Sequence, residues 1–224
     1  MIGSISSCSK DDEPDNPTTT NPNKPVKDPD NTVTLNLLSG QGWSDRISLG
    51  TLVEVYVNSA YNINTSSAKI VDVGPVAGLG NITSAPESGW KDEAAAIVGH
   101  GYVLKSNFPY GDIARLYVDS EMVSTTGAVM GYTVKYQCPM DNQLTLSSDG
   151  VSLKRSGDEV RLEIRSGSDI TVKSKPDWTN VTISDGYVNV TASYNDENDW
   201  RRGAIILSNP VNSQTIPVIQ YADR

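Results

Sequence analysis

The sequence predicts an all-β protein with two β-sandwich domains behind a disordered N-terminal tether. Two observations carry that prediction. From Thr32 onward, apolar and polar residues alternate with period two in short runs bounded by Gly, Asn, Ser or Pro, the pattern of half-buried strands. Before Thr32 the chain is Pro-, Thr- and Asp-rich, with Val26 the one aliphatic residue of 14–31, a composition that cannot build a core.

The first series of strands is expected at Val33-Leu35-Leu37, Leu52 to Val57, Ala68 to Val73, Ile113 to Val118 and Ala128 to Tyr136. One helical turn or two is expected over Lys91-Asp92-Glu93-Ala94-Ala95-Ala96-Ile97, because Ala and Glu favour helix, with Gly99 as its stop. Cys138-Pro139-Met140-Asp141-Asn142 interrupts the alternation and marks a domain boundary. A second series follows, from Gln143 to Ser147 and on to Thr215 to Gln220. About seven short strands with turns every 8–12 residues predict an immunoglobulin-like sandwich. The expected units are therefore 1–31 (signal remnant and linker), 32–140 and 141–224.

Composition narrows function. A formal net charge of −9 disfavours phosphate backbones, so nucleic acid is excluded as a partner. Two cysteines, Cys8 and Cys138, are too few for a disulfide framework, and no metal-ligand spacing is present. One Phe stands against ten Tyr and four Trp, so the large aromatics are mostly those that pack on one side and hydrogen-bond on the other.

The N-terminus carries an address. Ile5-Ser6-Ser7-Cys8 resembles a bacterial lipobox, in which small residues admit a signal peptidase and the cysteine thiol takes a diacylglycerol thioether. Ser9-Lys10-Asp11-Asp12-Glu13 is similar to the acidic export signal of surface lipoproteins in Bacteroides-type bacteria. That resemblance implies a lipid anchor at Cys8, the outer membrane as location, the cell exterior as the side faced, and contact with membrane through the lipid alone. Only seven residues, not strongly apolar, precede Cys8, so the anchor is expected to belong to a longer precursor.

Residues 143–222 resemble a BACON domain, the immunoglobulin-like domain common in those surface proteins. Trp178, Val181, Gly186, Val188, Val190, Asn195, Arg201-x-Gly203-x-Ile205 and the terminal Val218-x-Gln220 carry the likeness; a second core Trp near the start is replaced by Ile170 or Val172. Residues 32–140 resemble the N-terminal part of an uncharacterised lipoprotein family, through Gly99-His100-Gly101-Tyr102, Ala114 to Val118 and Val134-Lys135-Tyr136-Gln137. The BACON likeness implies contact with carbohydrate or glycoprotein, or a spacer role.

No nucleophile elbow, zinc-protease motif, P-loop or Cys-x-x-Cys occurs, and the chain is expected to be non-catalytic, without cofactor or metal. His100 lacks a visible base-and-nucleophile set and is expected as a turn residue with a strained or left-handed backbone. Tyr194 to Asp199 is oxygen-dense but lacks EF-hand spacing, so a polar turn is expected there rather than a calcium site. Trp43, Trp90 and Trp200 sit in polar, loop-like contexts and are the candidate ligand-binding residues, since sugar C–H faces stack on flat indoles; the alternative for each is a cap on the end of a sandwich. Trp178 is expected in the core. The function this supports is a cell-surface lipoprotein binding a polysaccharide or glycoprotein, with a structural or adhesive subunit as the alternative.

Overall fold

The computed structural model describes residues 24–40, 47–49, 53–108 and 112–222. Cys8 and Trp43 lie outside the described residues. The protein is all-β, and among the described residues the one helical element is a 3-10 turn, Leu79–Asn81.

The N-terminal strands are β1 (Val33–Leu38), β2 (Ile47–Leu49), β3 (Val53–Val57), β4 (Asn62–Ser66), β5 (Ala68–Pro75), β6 (Glu93–Ala95), β7 (His100–Ser106), β8 (Ile113–Val123) and β9 (Val129–Gln137). They form a five-stranded sheet, β1-β9-β8-β7-β5, and a four-stranded sheet, β2-β3-β4-β6. Leu37, Val55, Ile63, Ile70, Tyr102 and Leu116 are among the buried side chains that close the core between them. Alternation did this locally: Val55 and Val57 are buried while Glu54 and Tyr56 are half-exposed, which places one face of β3 on the core.

Two expectations fail in this half. Lys91–Ile97 is not helical. Glu93–Ala95 pairs with β4 as β6, and Lys91 bridges Ile70 with reciprocal backbone hydrogen bonds. Helix preference is worth only tenths of a kcal/mol per residue. The Tyr102 hydroxyl donates to the Ala95 carbonyl at 2.7 Å and accepts from the Ile97 N–H at 2.9 Å, so strand pairing and a buried phenol outweigh it. Burial pushes that phenol's pKa well above its ordinary value. His100 is not a left-handed turn residue either: it opens β7, and the positive φ of 82° belongs to Gly99. The His100 Nδ1 lies 3.1 Å from both carboxylate oxygens of Asp72.

The C-terminal strands are β10 (Thr145–Leu146), β11 (Val151–Leu153), β12 (Glu159–Ser166), β13 (Thr171–Ser174), β14 (Thr179–Ser184), β15 (Tyr187–Ala192), β16 (Arg201–Ser208) and β17 (Ser213–Gln220). Their sheets have the orders β10-β12-β15-β14 and β11-β17-β16-β13. β11 runs parallel to β17 while the other pairings are antiparallel, so the chain leaves the first sheet after β10 and joins the second at β11. Leu153, Leu162, Val188, Val190, Ile205 and Val218 fill the space between the sheets. β14 and β15 are joined by Asp185-Gly186, both at positive φ, the two-residue turn that matches strand twist.

The two halves meet through a third apolar cluster that combines Val103 and Ile113 with Met140 and Val211, with Trp90 packed against it. The connection Cys138–Gln143 is tied on both sides. Met140 N–H donates to the Ile113 carbonyl (2.7 Å), Ile113 N–H to Gln143 Oε1 (2.8 Å), and Asn209 Nδ2 to the Asn142 carbonyl (2.6 Å). Burial pushes the half-buried Cys138 thiol up to about 12, which leaves it protonated at neutral pH and a packing group.

The segment read from sequence as tether is docked over its last eight residues. Asn81 accepts from the Val26 N–H and donates to the Lys24 carbonyl, and Asp28 accepts from Gly80 N–H and pairs with Lys135 at 2.9 Å. Such reciprocal bonds hold a polar strap that has almost no apolar surface to bury.

Candidate binding surfaces

Three of the residues singled out in the C-terminal half, Asn195, Arg201 and Gln220, lie at the far end of its strands, the end away from the junction. Gln220 is fully buried, and its Nε2 is shared among the carbonyls of Lys154, Arg155 and Ser193 at 2.7–3.2 Å. Asn195, also fully buried, donates through Nδ2 to the carbonyls of Asp199 and Tyr221 and accepts at Oδ1 from the Glu197 N–H. These two amides fasten three separate pieces of chain: the turn after β11, the loop 193–199 and the residues after β17. Unpaired backbone groups buried there would each cost about 1–3 kcal/mol, so the amides are what lets a loop close over the sheet ends. Gly203 has a packing reason: a Cβ there would stand 2.4 Å from Pro176 Cγ, and the same gap admits Trp178, which packs partly buried on the core as expected. Ile205 is core. Arg201 pairs with Asp196 and lies 3.5 Å from Glu197, so those carboxylates are neutralised within the loop rather than gathered for a cation. Among the described residues no group of three or more His, Cys, Asp or Glu side chains converges as a metal site.

Three aromatic rings are exposed in and beside the fastened loop. Trp200 is 41% exposed, Tyr221 42% and Tyr194 55%. Trp200 and Tyr221 meet edge to face with centroids 5.2 Å apart. The Arg155 guanidinium lies over the Tyr194 ring at 5.1 Å and Arg202 over Trp200 at 5.7 Å. Flat apolar faces, cationic donors and carboxylate acceptors therefore share one surface. Of the three rings only Trp200 was singled out in sequence. Tyr194 and Tyr221 are 27 residues apart and gain meaning only through Asn195.

The structure does not bring Trp90 to this surface. Trp90 is half-buried at the junction and lines a cavity of about 590 Å³ with Lys173, Asn209 and Val211. That cavity adjoins Ser208 at the opposite end of β16 from Trp200, roughly 20 Å or more away at the usual strand rise. A second cavity of about 690 Å³ shares Lys105, Ile113, Asn212 and Ser213 with it and continues between β10 and β17. Nothing in the sequence marked this cleft, because it is formed where a strand changes sheets.

No curated protein and no solved structure matches the chain. One family model matches residues 49–207, a span that starts at the last residue of β2, crosses the junction and ends inside β16, so the two halves are covered by one model. That match takes in most of the chain, and the protein belongs to the family described as a domain of unknown function, DUF5036.

Proposed function

We propose that the protein is a non-catalytic cell-surface lipoprotein, anchored at Cys8 to the outer membrane and facing the exterior, whose far end binds a glycan or the glycan of a glycoprotein. The observation that carries the reading is the Trp200–Tyr221–Tyr194 surface. Three exposed rings stand as a platform beside a loop that buried amides fasten, and such prior ordering favours a weak, shallow sugar contact, because little ordering entropy is then lost on binding. Pyranose C–H faces lie on the rings, and hydroxyls bond to Arg155, Arg202 and the carboxylate edges. The strand orders β10-β12-β15-β14 and β11-β17-β16-β13, with the first strand changing sheets, support reading residues 141–224 as an immunoglobulin-like, BACON-type domain, and 32–140 as a separate sandwich. On that reading the platform lies at the end of the molecule farthest from the junction and is presented outward.

The platform is tested on arrays of plant, host and microbial glycans. The chain is expected to bind at least one class, and Trp200→Ala to weaken that binding at least tenfold with unchanged unfolding midpoint, since the ring is exposed. Absence of binding on all three arrays refutes the reading. The anchor is tested separately: expressed behind a complete signal peptide, the protein should incorporate radioactive palmitate, and Cys8→Ala should abolish the label. Label that persists in the variant refutes the anchor.

A further inference from the structure

We infer that the seam between β10 and β17 is a strand-accepting site, which binds an extended segment of a partner polypeptide antiparallel to both edges. Among the described residues β10 pairs only with β12, and β17 over Ser213–Pro217 pairs only with β16. Each strand therefore turns an unpaired edge toward the same 690 Å³ cleft, with Thr145 and Leu146 on one wall and Ser213 and Ile216 on the other. On those edges the main-chain groups of Leu146, Ser213 and Thr215 have no partner among the described residues, while Pro217, next on the same edge, has no N–H to offer; what such groups pair with is another main chain.

Three features select a polypeptide as the occupant. The first is spacing. The Asn212 and Gln214 side chains span from the start of β17 to the Leu144 backbone, so at the mouth of the cleft one side-chain length separates the two edges. The second is direction. β11 is parallel to β17, and β10 leads into β11, so both edges run the same way and one guest strand can be antiparallel to both, the stronger pairing geometry. The third is an amide already seated in the seam. Asn212 Oδ1 accepts from the Leu144 N–H at 2.7 Å and its Nδ2 donates to the Leu144 carbonyl at 3.2 Å, while Gln214 Nε2 donates to the same carbonyl at 2.9 Å. At the mouth of the cleft, a side-chain amide thus makes the two-way bond to the β10 end that a peptide group of a guest strand would make along it. Beyond that point, among the described residues, no side chain bonds to the main chain of Leu146, Ser213 or Thr215 in the same way.

The cleft also supplies a side-chain pocket. Phe108, 45% exposed, stands with Ile113, Leu146 and Ile216 on the lining, so one inward residue of the guest is apolar. Asp112 and Asp149 outnumber Lys105 along the lining, and the chain is acidic overall, so the guest carries basic rather than acidic outward residues. This site is independent of the aromatic platform, and failure of one leaves the other standing.

The test pans a phage library of random linear nonapeptides against the full chain. Enriched sequences are expected to alternate apolar residues and to favour Lys or Arg over Asp or Glu. A synthetic form of the leading sequence should slow amide exchange at least tenfold at Leu146, Ser213 and Thr215. A guest held by two edges donates alternate N–H groups to each, so N-methylation of either alternate set should weaken binding at least tenfold. Phe108→Ala, an exposed position whose folding is checked by near-ultraviolet circular dichroism, should do the same. No enrichment, protection confined to other segments, binding that survives N-methylation of either set, or unchanged affinity in Phe108→Ala each overturns the inference.

Discussion

Replacing Arg115 by methionine is expected to lower the unfolding free energy by about 3 kcal/mol or more, a fall in midpoint of roughly 10 °C for a chain of this size. Arg115 is only 4% exposed and lies on β8. Its Nε donates to Gln137 Oε1 at 2.6 Å, Nη1 to the Ile82 carbonyl at 2.7 Å and Nη2 to Asp141 at 2.6 Å. Gln137, fully buried, passes the network on to Asn31 of the docked strap and to the other oxygen of Asp141. One guanidinium therefore joins two strands, a loop, the strap and the connection between the halves. Burial lowers its pKa and Asp141 opposes that shift, which is the signature of a cation retained by its partners. Methionine fills comparable volume but leaves the buried Ile82 carbonyl without this donor and Gln137 Oε1 with only the long 3.4 Å bond from the Asp141 N–H, and that is where the loss arises. The exposed side of Asp141 contributes little, because its carboxylate regains water. Arg115→Lys should recover part of the loss, since an ammonium supplies donors but not the planar fork. Faster amide exchange at Ile113 and Gln143 in Arg115→Met, measured alongside thermal unfolding, would show that the connection loosens with the network; a midpoint within 2 °C of the wild type refutes this account.

Strands were legible in sequence where one face meets the core and the other meets water. β3, β5, β9 and β15 announce themselves by alternation, and the Asp185-Gly186 turn lies in the gap between β14 and β15. β7 is not legible because Tyr102, Val103 and Leu104 are all buried: an interior strand covered on both faces has no alternation to show. β4, Asn62–Ser66, buries Ile63 alone and otherwise looks like a turn. β6 carries helical composition and is a strand by tertiary pairing. The platform was legible in part. Trp200 is a large aromatic in a polar loop, whereas Tyr221 stands beyond the last strand, where chain ends seldom attract notice. The seam was illegible, because it depends on which sheet the chain joins at β11, a long-range choice that no local pattern encodes.

Asn195→Asp is expected to produce a stability loss that grows with pH, and with it a loss of the proposed glycan binding that acid partly restores. The wild-type amide donates two hydrogens, to the carbonyls of Asp199 at 3.0 Å and Tyr221 at 3.2 Å. An ionised carboxylate at that position would face both carbonyl oxygens in a fully buried site, with only the Glu197 N–H to offset it. Both burial and those oxygens disfavour the charge, so the folded pKa rises above the unfolded value of about 3.9. The sign follows. Below about pH 3.9 both states hold the proton, and the variant lacks only one donated hydrogen bond, about 1 kcal/mol. Above it the unfolded chain releases the proton while the folded one keeps it, so stability relative to wild type falls by about 1.4 kcal/mol per pH unit until the folded pKa is reached. Denaturant midpoints of variant and wild type, compared from pH 3.5 to 7, should diverge steadily; a constant difference refutes the assignment. The clamp also joins the carbonyl before Trp200 to that of Tyr221, so its loosening at pH 7 should separate the edge-to-face pair and weaken glycan binding more than at pH 4.5. Equal weakening at both values would mean that the platform does not depend on the amide that fastens it.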